Sequence, residues 1–194
     1  MKLTPLDITM AALFAALMAI GANITAFIVV GGVPITLTTF FSILSGLLLG
    51  SRLGAISMTV YALVGLAGVP VFAQFSGGAS TIVSPTFGFI VSNILVAYIV
   101  GKIIEIKATR ASFMVASLIG MSINYVFGTT WMYVAYQLWF GAPEGFSYAV
   151  AWLWMVAPLP KDIIFSILAG GLAYRIRGKV YRSPSNQLNG ETPA

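Results

Sequence analysis

The residue in this sequence that most strongly indicates a functional site is Asp162. The chain has five carboxylate side chains, of which four lie at predicted segment ends, in loops or in the tail, while Asp162 begins the sixth apolar segment, beside Lys161 and after Pro160. An ionisable side chain at membrane depth is costly and indicates a functional site. The first turn of a helix that begins with proline also favours a carboxylate, through the helix dipole. Adjacent helical residues do not face each other, so no ion pair between Lys161 and Asp162 is predicted.

A second candidate site is the uncharged stretch from Gly68 to Gly88. Its Gly77-Gly78 pair and two prolines cannot belong to one continuous helix. Non-helical backbone near a bilayer is tolerated where protein buries it or where it lines a cavity. We therefore expect this loop to fold back into the mouth of a helix bundle and close over a small molecule. An ordinary Gly-rich surface turn is the alternative. The candidate ligand-binding side chains of the loop are Gln74, Phe75 and Ser76.

Two predicted helices present a polar amide among aromatic side chains. Asn124 and Trp131 lie seven residues apart on one helical face, with Tyr125 beside them, and Phe89 shares a face with Asn93 on another helix. Such a surface suits a flat, partly polar ligand. Asn124 could equally form a hydrogen bond between helices, and Trp131 could pack in the bundle or at the interface.

Several classes of chemistry are excluded by residues that the sequence lacks. There is no His and no Cys, which removes the commonest general base, thiolate chemistry and zinc sites made from these ligands. There is no G-x-x-x-x-G-K-[ST] phosphate loop, so no ATP hydrolysis by that route is expected. We predict neither a cofactor nor enzymatic activity.

Composition predicts an all-α integral membrane protein. The chain is 59% hydrophobic and 8% charged, with a mean hydropathy of +0.96, far from the ~25% charged residues of soluble domains. The net charge of +5 comes from residues at segment ends, which indicates contact with membrane lipid rather than nucleic acid. We predict a membrane domain over 1–177, with a disordered polar tail over 178–194. The six predicted spans are 6–29, 36–49, 54–69, 85–104, 112–138 and 160–174, with a partly re-entrant outward loop between the third and fourth.

Basic residues predict the orientation of this bundle. Nine of the ten Lys and Arg side chains fall at the two ends of the chain or in alternate connections, near Arg52 and from Lys102 to Arg110. The positive-inside rule therefore places both termini in the cytoplasm and the loop from Gly68 to Gly88 outside. The first span also carries small residues, among them Ala12 and Ala16, at a spacing that lets helices approach closely. That stripe is either internal packing or a docking surface.

Several short motifs, in order along most of the chain, carry a resemblance to a known family. The chain resembles the BioY family of biotin-binding S components of energy-coupling factor transporters. The motifs are Gly32–Phe40 (GVPITLTTF), Gly68–Phe72 (GVPVF), Phe75–Gly78 (FSGG), Ser84–Phe89 (SPTFGF), Tyr125–Trp131 (YVFGTTW) and Pro160–Asp162 (PKD).

The resemblance implies a six-helix subunit that captures biotin outside the cell. It implies docking, through Ala12 and Ala16, on a transmembrane coupling subunit that works with two ATPase subunits. It also implies that Asp162 and Ser76 hold the ureido head of biotin. Some relatives have an Arg and a Lys where this chain has Ile90 and Phe165. Either Lys161 is the cation for the biotin carboxylate, or backbone and hydroxyl donors suffice, or the ligand is not biotin. A stand-alone facilitator or secondary carrier of biotin or another small vitamin is the alternative function.

Overall fold

The computed structural model describes residues 3–30 and 32–180, and it confirms the predicted all-α class. Short turns and one small hairpin of two strands connect the helices. In chain order the elements are α1 (Pro5–Asn23), β1 (Val29–Val30), β2 (Val33–Pro34), α2 (Thr38–Leu49), α3 (Ser51–Leu66), α4 (Phe87–Ile106), α5 (Arg110–Ala135), α6 (Tyr148–Val156) and α7 (Leu159–Val180).

The helices α1, α4 and α5 are long and apolar enough to cross a membrane. The pair α6 and α7, bent by 61° at the break between them, adds a fourth candidate if it counts as one span. The remaining two helices are shorter: α2 has 12 residues and α3 has 16. At 1.5 Å per residue α2 is about 18 Å long, less than the ~30 Å of a hydrocarbon core. The count of six spans therefore stays a prediction.

The last helix continues further than the sequence indicated. α7 reaches Val180, three residues beyond the predicted end of the membrane domain at Arg177. The rest of the predicted disordered tail, residues 181–194, lies outside the described residues, as does Lys2 at the other end of the chain.

The turn between α2 and α3 is fixed by contacts with α4. Gly50 alone joins the two helices, with φ of +85°, a conformation that glycine adopts without steric cost. Glu105 of α4 accepts hydrogen bonds from the backbone N–H of Ser51 at 2.8 Å and from its hydroxyl at 2.7 Å. Gly101 allows this approach, because a Cβ atom there would overlap the backbone of Ser51. The short α2–α3 pair is thereby held against the long α4.

The core lies around α4, which packs against α2, α3 and α5, while α7 packs against α2 and α5. Its largest fully buried side chains include Met18, Ile43, Met58 and Phe113 from the helices and Phe72 from the connection between α3 and α4. Phe72 stacks edge-on against Tyr61, with ring centroids 5.4 Å apart. The Phe72 ring of the loop that follows α3 is thus inserted into the helical core, while the two 3₁₀ turns after it contain no buried residue.

Candidate functional site

A cavity of about 440 Å³ opens beside the β1–β2 hairpin and the connection between α3 and α4, and each of the helices α1 to α7 contributes at least one lining residue. This volume lies within the usual range of small-molecule sites, roughly 300–1,000 Å³. Most of its polar lining consists of uncharged hydroxyl groups. Those from the α3–α4 connection are Ser76, Ser80, Thr81, Ser84 and Thr86, and those before and within α2 are Thr36, Thr38 and Thr39. Lys161 and Asp162 are its charged lining residues in the described part of the chain.

Asp162 lies at the start of α7 and is only 5% exposed. One carboxylate oxygen accepts a hydrogen bond from the Tyr125 hydroxyl at 2.7 Å, and the other lies 2.7 Å from the Lys161 ammonium. Lys161 also donates to the backbone carbonyl of Thr36. The site therefore holds a buried carboxylate with a phenol donor on one side and a cation on the other.

The ion pair between Lys161 and Asp162 is a contact that the spacing of these neighbours did not imply. The helical spacing argument describes the directions of the Cα–Cβ bonds. It does not account for the four-carbon stem of lysine, which lets the ammonium return toward the neighbouring carboxylate. The Thr36 carbonyl, which comes from a distant part of the chain, binds the same ammonium. A tertiary contact thus decides a geometry that local spacing alone does not.

The loop from Gly68 to Gly88 lines the cavity as expected, but its three candidate side chains differ in position. Gln74 and Ser76 are lining residues. Phe75 lies outside the cavity, is 60% exposed, and packs near Phe27 of the α1–β1 connection. Gln74 and Phe75 both have positive φ, at 60° and 53°, in a single 3₁₀ turn. Because both residues have left-handed backbone conformations, their side chains do not follow the simple alternation of an extended segment: Gln74 lines the cavity and Phe75 lies outside it.

Hydrogen bonds hold this loop to the helices on both sides of the cavity. On one side Asn23 of α1 accepts from the backbone N–H of Phe75 at 2.7 Å and donates to the carbonyl of Val71 at 3.2 Å. On the other side the indole N–H groups of Trp131 and Trp139 donate to the carbonyls of Ser84 and Val83. The loop backbone therefore has partners at both ends, although the loop has no regular structure beyond short 3₁₀ turns.

The aromatic and amide candidates on α4 and α5 occupy separate places. Phe89 and Tyr125 line the cavity. The Phe89 ring packs against Gly128 of α5, where a Cβ atom would overlap it. Trp131 lies against Gly88 and Phe87 and does not line the cavity. Its contact with the Ser84 carbonyl makes it a support for the loop.

Asn124 is buried behind the cavity wall. Its amide nitrogen donates to the Ser92 hydroxyl at 2.7 Å and to the Asn93 side-chain oxygen at 3.2 Å, and its oxygen accepts from Thr39 at 3.3 Å. These bonds join α2, α4 and α5, which is the interhelical role left open by the sequence. Asn93 and Thr39, rather than Asn124, line the cavity.

Other lining residues carried weak sequence signals. Tyr136 and Phe140 lie in a π-helical turn, Tyr136–Phe140, that continues α5, and such turns are rare and frequent at functional sites. Thr36 and Thr39 belong to a predicted apolar span, in which hydroxyl side chains are common and carry no specific meaning. Their position at the cavity follows from the hairpin that precedes α2.

The predicted docking stripe on α1 faces outward. Ala12 and Ala16 are both exposed, while their neighbours Ala11, Phe14 and Met18 are buried in the bundle. Within the part of the chain that the structure describes, internal packing therefore does not explain why Ala12 and Ala16 are small. The stripe is available to lipid or to another protein.

Comparisons with known proteins agree over nearly the whole chain. Residues 1–182 match the BioY family. The chain is 43% identical over 193 residues to the putative biotin transporter BioYB of Bacillus subtilis (strain 168), covering 97% of this chain and 96% of the relative. It is 35% identical over 172 residues to the probable biotin transporter BioY of Pyrococcus horikoshii, covering 89% of this chain and 96% of the relative.

A solved structure shares the fold. The crystal structure at 2.1 Å of the S-component for biotin from an ECF-type ABC transporter superposes with a TM-score of 0.78. The two chains are 21% identical, and the match covers 91% of this chain and 95% of the other. The arrangement of helices around the cavity is therefore one that a crystal structure also contains.

Proposed function

This chain belongs to the BioY family, and on that basis we propose that it captures biotin and delivers it across the membrane as the substrate-binding subunit of an energy-coupling factor transporter. It is a transporter protein rather than an enzyme. The observation that supports this proposal most directly is the buried Asp162 carboxylate, which lies in the cavity with Tyr125 and Lys161. A charged group inside a membrane domain needs partners and marks a substrate site.

The ureido head of biotin matches the groups around Asp162. A ureido group has two N–H donors and one carbonyl acceptor, and an ionised carboxylate has about four acceptor positions. Two of those positions are occupied, by Tyr125 and Lys161, so Asp162 retains capacity for the ureido N–H groups. Gln74 and Ser76 on the opposing loop offer further polar contacts. We place the ureido head against Asp162 in this proposal.

The carboxylate of biotin needs a cation or several neutral donors. An ammonium has three N–H donors, and Lys161 uses two of them, on Asp162 and on the Thr36 carbonyl. Its third donor is available to the ligand. The hydroxyl groups of the α3–α4 connection can supplement it, since they line the cavity in number. The apolar walls for the ring and the valeryl chain are Phe89, Ile90, Tyr125 and Phe140.

The remaining parts of the proposal concern the whole transporter. The bundle lies in the cell membrane with six spans and both termini in the cytoplasm, so that the cavity faces outward. The exposed Ala12 and Ala16 are the proposed contact with a transmembrane coupling subunit. That subunit works with two ATPase subunits that supply the energy, because this sequence has no phosphate-binding loop.

Titration of the purified, detergent-solubilised protein with biotin tests the proposed function. Two of the four Trp side chains, Trp131 and Trp139, donate hydrogen bonds to the loop over the cavity. We therefore expect tryptophan fluorescence to change on binding. Calorimetry should give a one-to-one stoichiometry and a Kd in the nanomolar range. Absence of binding by calorimetry, in protein shown to be folded, would reject biotin as the ligand.

A further inference from the structure

Asn93 on α4 is a cavity residue with an unusual hydrogen-bonding state. It is 2% exposed and lines the cavity. Its side-chain oxygen accepts from the Asn124 amide at 3.2 Å. Among the described residues, its amide nitrogen donates to no acceptor, and it is not one of the fully buried side-chain atoms that lack a partner. The amide nitrogen is therefore the end of Asn93 that remains available to a ligand.

The surrounding hydrogen bonds fix which end of Asn93 is free. The Ser92 hydroxyl donates its one proton to the Phe89 carbonyl at 2.9 Å, so its oxygen can only accept from Asn124. The group of Asn124 that faces Ser92 must then be the NH₂ group, and the same NH₂ group faces Asn93. Thr39 completes the network by donating to the Asn124 oxygen. A flipped Asn93 would bring two NH₂ groups together without an acceptor.

We propose that Asn93 donates a hydrogen bond to the ureido carbonyl of biotin, and that Asn124 is the residue that orients it. This inference rests on the proposed function. Asp162 and Asn93 are both almost fully buried, and they are held by adjacent residues of α5, Tyr125 and Asn124. Asp162 is an acceptor and Asn93 is a donor, which complements the N–H and C=O edges of a ureido group. The Asn93–Asn124 pair thus selects for the carbonyl.

The test compares biotin with 2-iminobiotin, in which the ureido carbonyl is replaced by an imino group that is protonated at neutral pH. The wild-type protein should prefer biotin. Replacing Asn93 with alanine should weaken biotin binding about tenfold and change 2-iminobiotin binding less than twofold. Asn93→Asp keeps the acceptor that Asn124 needs and replaces the donor by an acceptor, so it should raise the relative affinity for 2-iminobiotin further.

Replacing Asn124 measures the orienting role. Asn124→Ser should lessen the preference for biotin over 2-iminobiotin as Asn93→Ala does, since Asn93 is then free to turn. The control is Thr59→Ala, on α3, whose hydroxyl bonds only to the Ala55 carbonyl of its own helix and whose loss should leave the preference unchanged.

Three results would overturn the proposal. The first is equal binding of the two ligands by the wild-type protein, which needs no variant. The second is an equal loss of affinity for both ligands in Asn93→Ala and Asn93→Asp, which would give Asn93 a purely structural role. The third is an absence of biotin binding in the folded wild-type protein, which rejects the proposed function itself and is distinct from the first two.

Discussion

At the scale of single residues, the carboxylate of Asp162 has the strongest claim to a role in binding. It is buried, and it has one neutral and one charged donor rather than a solvent shell. A buried ion pair is weak evidence for a stabilising role, because desolvation offsets much of its attraction. A membrane domain that retains such a pair at the wall of a cavity is better explained by ligand binding than by stability.

Replacement of Asp162 by asparagine is the first prediction at this scale. The variant keeps the shape of the side chain and removes the charge that accepts from the ureido N–H groups. Loss of a hydrogen bond to a charged group costs about 1.5–3 kcal/mol, which corresponds to roughly a ten- to hundredfold weaker Kd for biotin. Calorimetry measures this change in Kd. The control is Glu105→Gln, which changes the distant carboxylate that holds Ser51 and should bind biotin normally. Unchanged binding in Asp162→Asn would show that Asp162 does not bind the ligand.

The second prediction tests whether Lys161 binds the carboxylate end of biotin. Lys161→Met keeps the apolar stem and removes the cation. If the third N–H of the ammonium binds the carboxylate of biotin, the variant should bind biotin at least tenfold more weakly. Biotinamide, which has no carboxylate charge, should lose much less, because it gains little from the cation. Equal losses for biotin and biotinamide would show that Lys161 acts only by holding Asp162 and the Thr36 carbonyl.

At the scale of structural elements, the α3–α4 connection is held at the cavity by contacts with α1, with α5 and with the turn that follows α5. Its backbone is anchored at α1 by Asn23 and at α5 by Trp131, and by Trp139 in the π-helical turn after α5. Its Phe72 ring is packed against Gly65 and Tyr61. The segment is therefore fixed at its base and ends, while its hydroxyl side chains line the cavity.

Replacement of Asn23 by leucine tests this anchoring. The change removes the bonds to the Phe75 N–H and the Val71 carbonyl and leaves both backbone groups without these partners. We expect faster dissociation of biotin, by about three- to tenfold, with a smaller change in the association rate, since most interface changes act on dissociation. Stopped-flow fluorescence measures both rates. Thr59→Ala, whose hydroxyl bonds only within α3, is the control, and identical dissociation rates in both variants would show that the Asn23 contact does not restrain the loop.

The sequence predicted the elements well where local chemistry decides them. The Gly-Gly pair and the prolines, which exclude a continuous helix, predicted the loop from Gly68 to Gly88 and its position at a cavity. Local spacing could not predict the Lys161–Asp162 pair, because a carbonyl from residue 36 helps to position the ammonium. It also could not predict that Phe75 turns outward, since two consecutive non-glycine residues with positive φ are uncommon.

At the scale of the whole molecule, the orientation in the membrane can be measured directly because the chain has no Cys. A single cysteine at Ala79, in the α3–α4 connection, should react with a membrane-impermeant maleimide in intact cells. A cysteine at Ala108, in the connection between α4 and α5, should react only after permeabilisation. Both positions are exposed, so access to the reagent depends on the side of the membrane. The reverse labelling pattern would invert the proposed topology and place the cavity on the cytoplasmic side.

The proposed assembly with a coupling subunit can be tested at the same scale. Ala12 and Ala16 are exposed on α1, and small side chains at this spacing allow another helix to approach closely. Replacing either with leucine should leave biotin affinity unchanged, because neither lines the cavity, and should prevent co-purification with the coupling subunit. Ala149→Leu places the same bulk on an exposed position of α6 and should allow assembly. Loss of biotin binding in the α1 variants would instead mean that this face supports the bundle, and normal assembly would mean that the partner docks on another helix.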